Sequence, residues 1–150
     1  MLFRSLLAGV LLVAVLVHVA CNLQNDVGFA LRGGDRTAGR LGLPRASSQG
    51  WLSPATVRFG VVVAVIAAMA LGTVLAWERG WPAFALGGAS LAAALAYMGG
   101  PRPIAWTPLG ELTVLAFFGL VAVCGSEWML AGRVGVATLL AGAASGSLAA

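Results

Sequence analysis

Apolar residues run almost without interruption from Leu2 to Leu23, and further apolar stretches follow at 59–77, 81–98, 109–124 and 134–149. About 20 apolar residues carry a helix across a bilayer. The pattern predicts an all-α, polytopic transmembrane helical bundle of about five spans, forming a single domain over 1–150. The third and fifth stretches are rich in Gly, Ala and Ser, small residues that let helices approach closely in lipid. Polar positions collect between the spans: a long loop at 32–58, and shorter turns at 78–80, 99–108 and 127–133.

The charges orient this bundle. The chain has 150 residues, 60% hydrophobic and 9% charged, with a net charge of +4. An ordinary soluble domain carries about a quarter charged residues, so a soluble fold is excluded. The basic residues are all arginines, and Arg32, Arg36, Arg40, Arg45 and Arg58 fall in the long loop against Asp35. The positive-inside rule puts the 32–58 loop in the cytoplasm and Met1 outside. Trp51, Trp77, Trp81, Trp106 and Trp128 fall at or near span ends, as membrane-interface belts do. Nothing in the chain points to nucleic acid; the basic bias speaks to topology and to anionic lipid.

Other features lead nowhere catalytic. Cys21 and Cys124 belong near opposite ends of their spans, too far apart for a disulfide, and are read as small apolar residues. Arg4, the apolar run 6–17 and Val19-Ala20-Cys21 have the form of a lipoprotein signal, but His18 and the many later spans argue against it. His18, mid-membrane, is expected to hydrogen-bond to a neighbouring helix. Glu78 and Glu127 are expected to be solvated outside. Ser47, Ser48 and Ser53 have no His or Asp partners that would make a nucleophile.

Two stretches carry candidate chemistry. The first span ends in Asn22-Leu23-Gln24-Asn25-Asp26, with Asp35 nine residues on. A carboxylate and amides are costly in lipid and call for a reason. If the helix continues past Cys21, Asn22, Asn25, Asp26 and Phe29 share one face. Asn and Asp are hard oxygen ligands suited to Mg²⁺, which is usually held by one or two carboxylates plus phosphate oxygens. Downstream arginines can hold the rest of a diphosphate. The same residues also suit a plain polar helix end with capping side chains, and the residues by themselves leave both readings open. The second stretch is Tyr97-Met98-Gly99-Gly100-Pro101-Arg102-Pro103, which ends the third span. Gly110-Glu111 then opens the fourth, with Glu111 at the positive end of the helix dipole.

Together these stretches resemble the UbiA-type aromatic prenyltransferases, and within them the branch that acts on 1,4-dihydroxy-2-naphthoate in menaquinone biosynthesis. The first acid-rich motif of that family is matched by Asn22, Asn25, Asp26 and Asp35, and its continuation by Arg45-Ala46 and Gly50-Trp51-Leu52-Ser53-Pro54. The naphthoate branch is matched by Tyr97, Gly99, Gly100, Pro101, Pro103, Leu109-Gly110-Glu111 and the run from Phe117 to Val123. The resemblance implies transfer of a polyprenyl group from polyprenyl diphosphate to 1,4-dihydroxy-2-naphthoate, in the cell (inner) membrane, with Mg²⁺ as cofactor. It implies Asn25, Asp26 and Asp35 as catalytic residues, with Asp26 and Asp35 holding the metal. It assigns Asn22, Arg45 and Tyr97 to substrate binding. The chain departs from the pattern at Phe29, where the family has a second Asp.

The family fold has about nine helices, and its second acidic motif does not occur within 1–150. The resemblance thus implies part of that fold: a fragment or degenerate copy, inactive alone. The alternatives are a non-catalytic small membrane packing subunit and a small transporter. The transporter is disfavoured because no span carries a series of inward polar groups.

Overall fold

A computed structural model of the chain describes residues 3–33 and 44–150. Helix α1 is Phe3–Arg32, α2 is Pro54–Trp77 and α3 is Trp81–Met98. Helix α4 covers Leu109–Ala131, and α5 is Val136–Ala149. These four long helices are apolar enough to cross a membrane, and α5 is a shorter apolar helix. The chain is a multi-pass, all-helical membrane protein. Successive helices reverse direction, so the end of α1, the start of α2, the end of α3 and the start of α4 meet at one end.

Local sequence explains the boundaries. Nothing between Phe3 and Arg32 breaks a helix, and α1 runs until Gly33 takes a left-handed backbone at φ 68°. Its 30 residues amount to about 45 Å, against a hydrocarbon core of about 30 Å. The polar residues after Cys21 therefore sit on a helical extension of the expected 2–23 span, the helix continuing past Cys21. Helix α2 starts earlier than its apolar stretch because Ser53 caps it, its hydroxyl accepting from the Thr56 amide at 3.1 Å, with Pro54 at the first turn. Arg32 and Arg58, expected in a long loop, are both helical. Helix α5 has 14 residues, about 21 Å, which is short of the core thickness.

The fourth helix departs from regularity. Leu115–Val121 winds as a π-helix inside α4. Gly119 lies there against Gly142 and Gly146 of α5, so close that a Cβ at Gly119 would overlap the Gly142 carbonyl. In lipid, where apolar faces gain nothing by leaving the solvent, such small-residue contacts hold helices together. On the other side, α1 packs on α2 and α3. Val57, Val61, Ala64, Ala68 and Leu75 of α2 are buried, at helical spacing along one face. Leu6, Val10 and Leu75 form a further cluster with Met129 and Leu130 packed against it. Phe59, Ile66, Met69, Val136 and Leu140 are exposed, as lipid-facing side chains are.

Both cysteines are free. His18 makes an edge-to-face contact with Phe118, ring centroids 5.7 Å apart. This aromatic contact takes the place of the expected hydrogen bond. Glu127, expected to be solvated, accepts the Gly135 amide at 2.9 Å and so bridges α4 to the start of α5.

Candidate active site

The extended end of α1 carries the first group of candidate residues, and the geometry divides them. Asp26 faces the turn at 46–50: its carboxylate accepts the Ala46 amide at 2.8 Å and the Ser47 amide at 3.0 Å. These are charge-assisted bonds, stronger than neutral ones, and they tie the chain 20 residues onward back to the helix. Each carboxylate oxygen keeps acceptor capacity, since an ionised carboxylate has about four lone-pair sites. Asn25 directs its amide nitrogen towards Cys21 Sγ at 3.9 Å. Its Oδ1, and Ser47 Oγ on the turn, are buried without a hydrogen-bond partner. Buried polar atoms are nearly always satisfied, so these two oxygens, one on the residue before Asp26 and one on the turn that Asp26 holds, keep acceptor capacity unused among the described residues. Asn22 is exposed. Asp35 lies outside the described residues.

Phe29, the departure from the family pattern, is not idle. Its ring carries the Arg45 guanidinium at 3.8 Å from the centroid and meets Trp106 edge-on at 6.3 Å. Arg45 is thereby held one helical turn from Asp26. A cation over an aromatic face gains about 0.5–2 kcal/mol depending on desolvation. The aromatic residue thus positions the arginine that the motif places here.

The second group of residues packs against the first. Arg32, the last residue of α1, donates to its own helix at Gly28 O (3.1 Å) and across to Met98 O (2.9 Å). It also donates to Gly100 O and lies over Trp106 at 5.7 Å. One guanidinium therefore serves the carbonyl ends of both α1 and α3, where dipoles are negative. A Cβ at Gly28 would lie 2.7 Å from Met98 O and 2.9 Å from Met98 Cβ, so only glycine permits the approach. Residues more than 60 positions apart are locked together at this end. Sequence reasoning took Arg32 for a loop charge; its position beside a helix-ending glycine was the available signal.

Tyr97 belongs to a different space. It borders an apolar cavity of about 650 Å³ that extends from Val10 to Cys21 along α1 and includes His18, Phe117 and Phe118. Asp26 does not line it. Glu111 is exposed in the first turn of α4. Among the described residues, no three His, Cys, Asp or Glu side chains gather as a metal site.

The motif resemblance is borne out by comparison with curated proteins. The chain is 33% identical over 147 residues to the 1,4-dihydroxy-2-naphthoate octaprenyltransferase of Escherichia coli, covering 93% of this chain and 47% of that protein. The protein of that name from Mycobacterium tuberculosis is 33% identical over 146 residues, covering 97% of this chain and 49% of its own length. That from Haemophilus influenzae is 32% identical over 145 residues, covering 93% and 47%. The chain spans about half the length of the curated relatives it matches. No protein-family model matches it, and no solved structure does. Over nearly all of its residues, this chain is similar to 1,4-dihydroxy-2-naphthoate octaprenyltransferases, the branch its motifs resemble.

Proposed function

We propose that this chain carries the acid-bearing part of an aromatic prenyltransferase that joins a polyprenyl group from its diphosphate to 1,4-dihydroxy-2-naphthoate. The reaction serves menaquinone biosynthesis and takes place at the cytoplasmic side of the cell (inner) membrane. The observation that supports this best is the lock between the two motifs: Arg32 holds the Met98 and Gly100 carbonyls while Gly28 seats Met98. A chance pair of polar helix ends has no need of that lock.

The donors here are hard oxygens: the Asp26 carboxylate and the orphaned Asn25 Oδ1 and Ser47 Oγ. They would suit Mg²⁺, which usually takes one or two carboxylates together with phosphate oxygens and waters, and Asp35 would be a further ligand. When bound, Mg²⁺ would supply charge to the departing diphosphate. Arg45, fixed on Phe29, adds a positive group facing the same anion, so charge developing on it is met by a donor already in place. Asn22, exposed on α1, would be a support to the site. The apolar cavity bordered by Tyr97 is suited to the prenyl chain, and its low dielectric would keep water from an allylic cation.

The test is a chimera in which residues 1–150 replace the matching stretch of the Escherichia coli relative, expressed in a host lacking its own enzyme. Membranes receive polyprenyl diphosphate, 1,4-dihydroxy-2-naphthoate and Mg²⁺, and demethylmenaquinone should form. Asp26→Asn should cut the rate at least about tenfold, the usual cost of one strong electrostatic group. A chimera inserted at normal levels and yielding no product would refute the proposal. Orientation is checked with single cysteines in a Cys21→Ala, Cys124→Ala background. Gly80→Cys should label from outside intact cells and Ser47→Cys should not; the reverse pattern would overturn the assignment.

A further inference from the structure

On the side of α1 turned away from Asp26 there is a second, polar pocket of about 450 Å³. Its walls are Gln24, Gly28 and Arg32 of α1, Arg58 of α2, and the Gly99-Gly100-Pro101 turn. It shares no residue with the group around Asp26, Asn25, Ser47 and Arg45, and among the described residues no carboxylate lines it. From these features we infer that the pocket binds the phosphoryl headgroup of an anionic membrane phospholipid.

Four observations carry this. First, its polar groups are donors with work left to do: Arg58 and Gln24 make no side-chain hydrogen bond or ion pair among the described residues. Arg32 keeps part of its donor fork free after binding three carbonyls. Second, the field favours an anion. The carbonyl ends of α1 and α3, which would repel one, are already neutralised by Arg32, and Arg58 adds an unpaired cation. Third, the pocket lies at the end of the bundle where the apolar helices α1 and α3 finish and α2 begins. Fourth, Leu31 lines it and is 53% exposed, giving an apolar rim on which an acyl chain can lie. Basic pockets between transmembrane helices take anionic headgroups for these reasons.

The chemistry is that of a phosphate monoanion or diester, so the experiment must separate a lipid from free phosphate. The purified chain in neutral detergent is given phosphatidylglycerol, phosphatidylcholine or inorganic phosphate, and bound adducts are read by native mass spectrometry. The expected result is one phosphatidylglycerol retained several-fold better than phosphatidylcholine. Arg58→Gln should reduce that retention about five- to tenfold, roughly one juxtamembrane cation's share, and Arg58→Lys should recover most of it. Arg102→Gln, which removes an equal charge at the same end but outside the pocket, should leave retention unchanged. Helical circular dichroism verifies that each variant folds. Equal retention by Arg58→Gln and the parent chain would overturn the proposal, as would equal retention of the two lipids. Arg58-dependent binding of inorganic phosphate with no preference between the lipids would overturn the lipid and assign the pocket to free phosphate. No catalytic activity is read, so the result stands apart from the prenyl-transfer assignment.

Discussion

Both ends of this bundle are closed by an arginine, and the two closures differ in what they leave over. At the end where α1 finishes, Arg32 donates to the carbonyls of Gly28, Met98 and Gly100. At the opposite end Arg79, in the turn between α2 and α3, donates to Met129 O at 3.0 Å and Leu130 O at 3.2 Å of α4. Each arginine satisfies carbonyls that a helix C-terminus cannot pair internally. Around Arg79 the accounts are settled: Glu127 accepts Gly135 N, and Gly132, at φ 72°, ends α4 by donating to Trp128 O. At the Arg32 end, but on the Asp26 side of α1, two buried oxygens remain unpaired among the described residues and a carboxylate keeps acceptor capacity. The same device builds a finished joint at one end and frames an unfinished one at the other. Unfinished polar business in an apolar protein is costly, and that cost is what marks a site.

The largest effect that can break this contrast comes from filling Gly28. Gly28→Leu would drive a side chain into the backbone and Cβ of Met98, and overpacking of this kind costs about 1–3 kcal/mol. Thermal unfolding in detergent should fall by several degrees, and the chimera should lose prenyl transfer beyond the loss of folded protein. Full retention of activity would mean that the two motifs need not touch.

A smaller effect separates the two arginines. Arg79→Gln should lower the unfolding temperature, since charge-assisted bonds are worth about 1.5–3 kcal/mol each when the partners are left bare. It should leave the turnover of folded chimera unchanged. Arg32→Gln should lower both, with Arg32→Lys recovering part of the rate because the charge over the α3 carbonyls returns. Equal turnover in the Arg32→Gln and Arg79→Gln proteins would erase the distinction between the ends.

The smallest effect is at Phe29. Restoring the family's carboxylate with Phe29→Asp places it where Arg45 now stacks at 3.8 Å. An ion pair would replace the cation–π contact and use much of the new charge. The Mg²⁺ concentration for half-maximal rate should fall by about two- to threefold, not by an order of magnitude, because the exchanged interactions are of similar size. An unchanged Mg²⁺ dependence would show that this face of α1 is remote from the metal.

The helices were legible because length and hydropathy suffice for them: the expected third span, 81–98, matches α3. The π turn in α4 was not, because it accompanies Gly119's contact with α5, and no local pattern encodes the partner. The first apolar stretch did not show where its helix ends, because hydropathy reports where lipid stops, whereas a helix stops at its cap, here Gly33. In the candidate site, residue types pointed to Asp26 and the family resemblance to Arg45. They did not reveal that Asp26 holds the 46–47 amides or that Phe29 seats Arg45, because those contacts depend on where a distant turn folds back.

Helix α1 has no joint between its membrane-embedded part and the residues of the site, and this makes it a lever. It is about 15 Å longer than the hydrocarbon core is thick, so with that excess at the Arg32 end a change of tilt by ~10° would sweep its tip through roughly 2–3 Å. Because Arg32 pins that tip to the end of α3, the two motifs must travel as one piece. A change in the thickness of the surrounding lipid would thereby be carried to the position of Asp26.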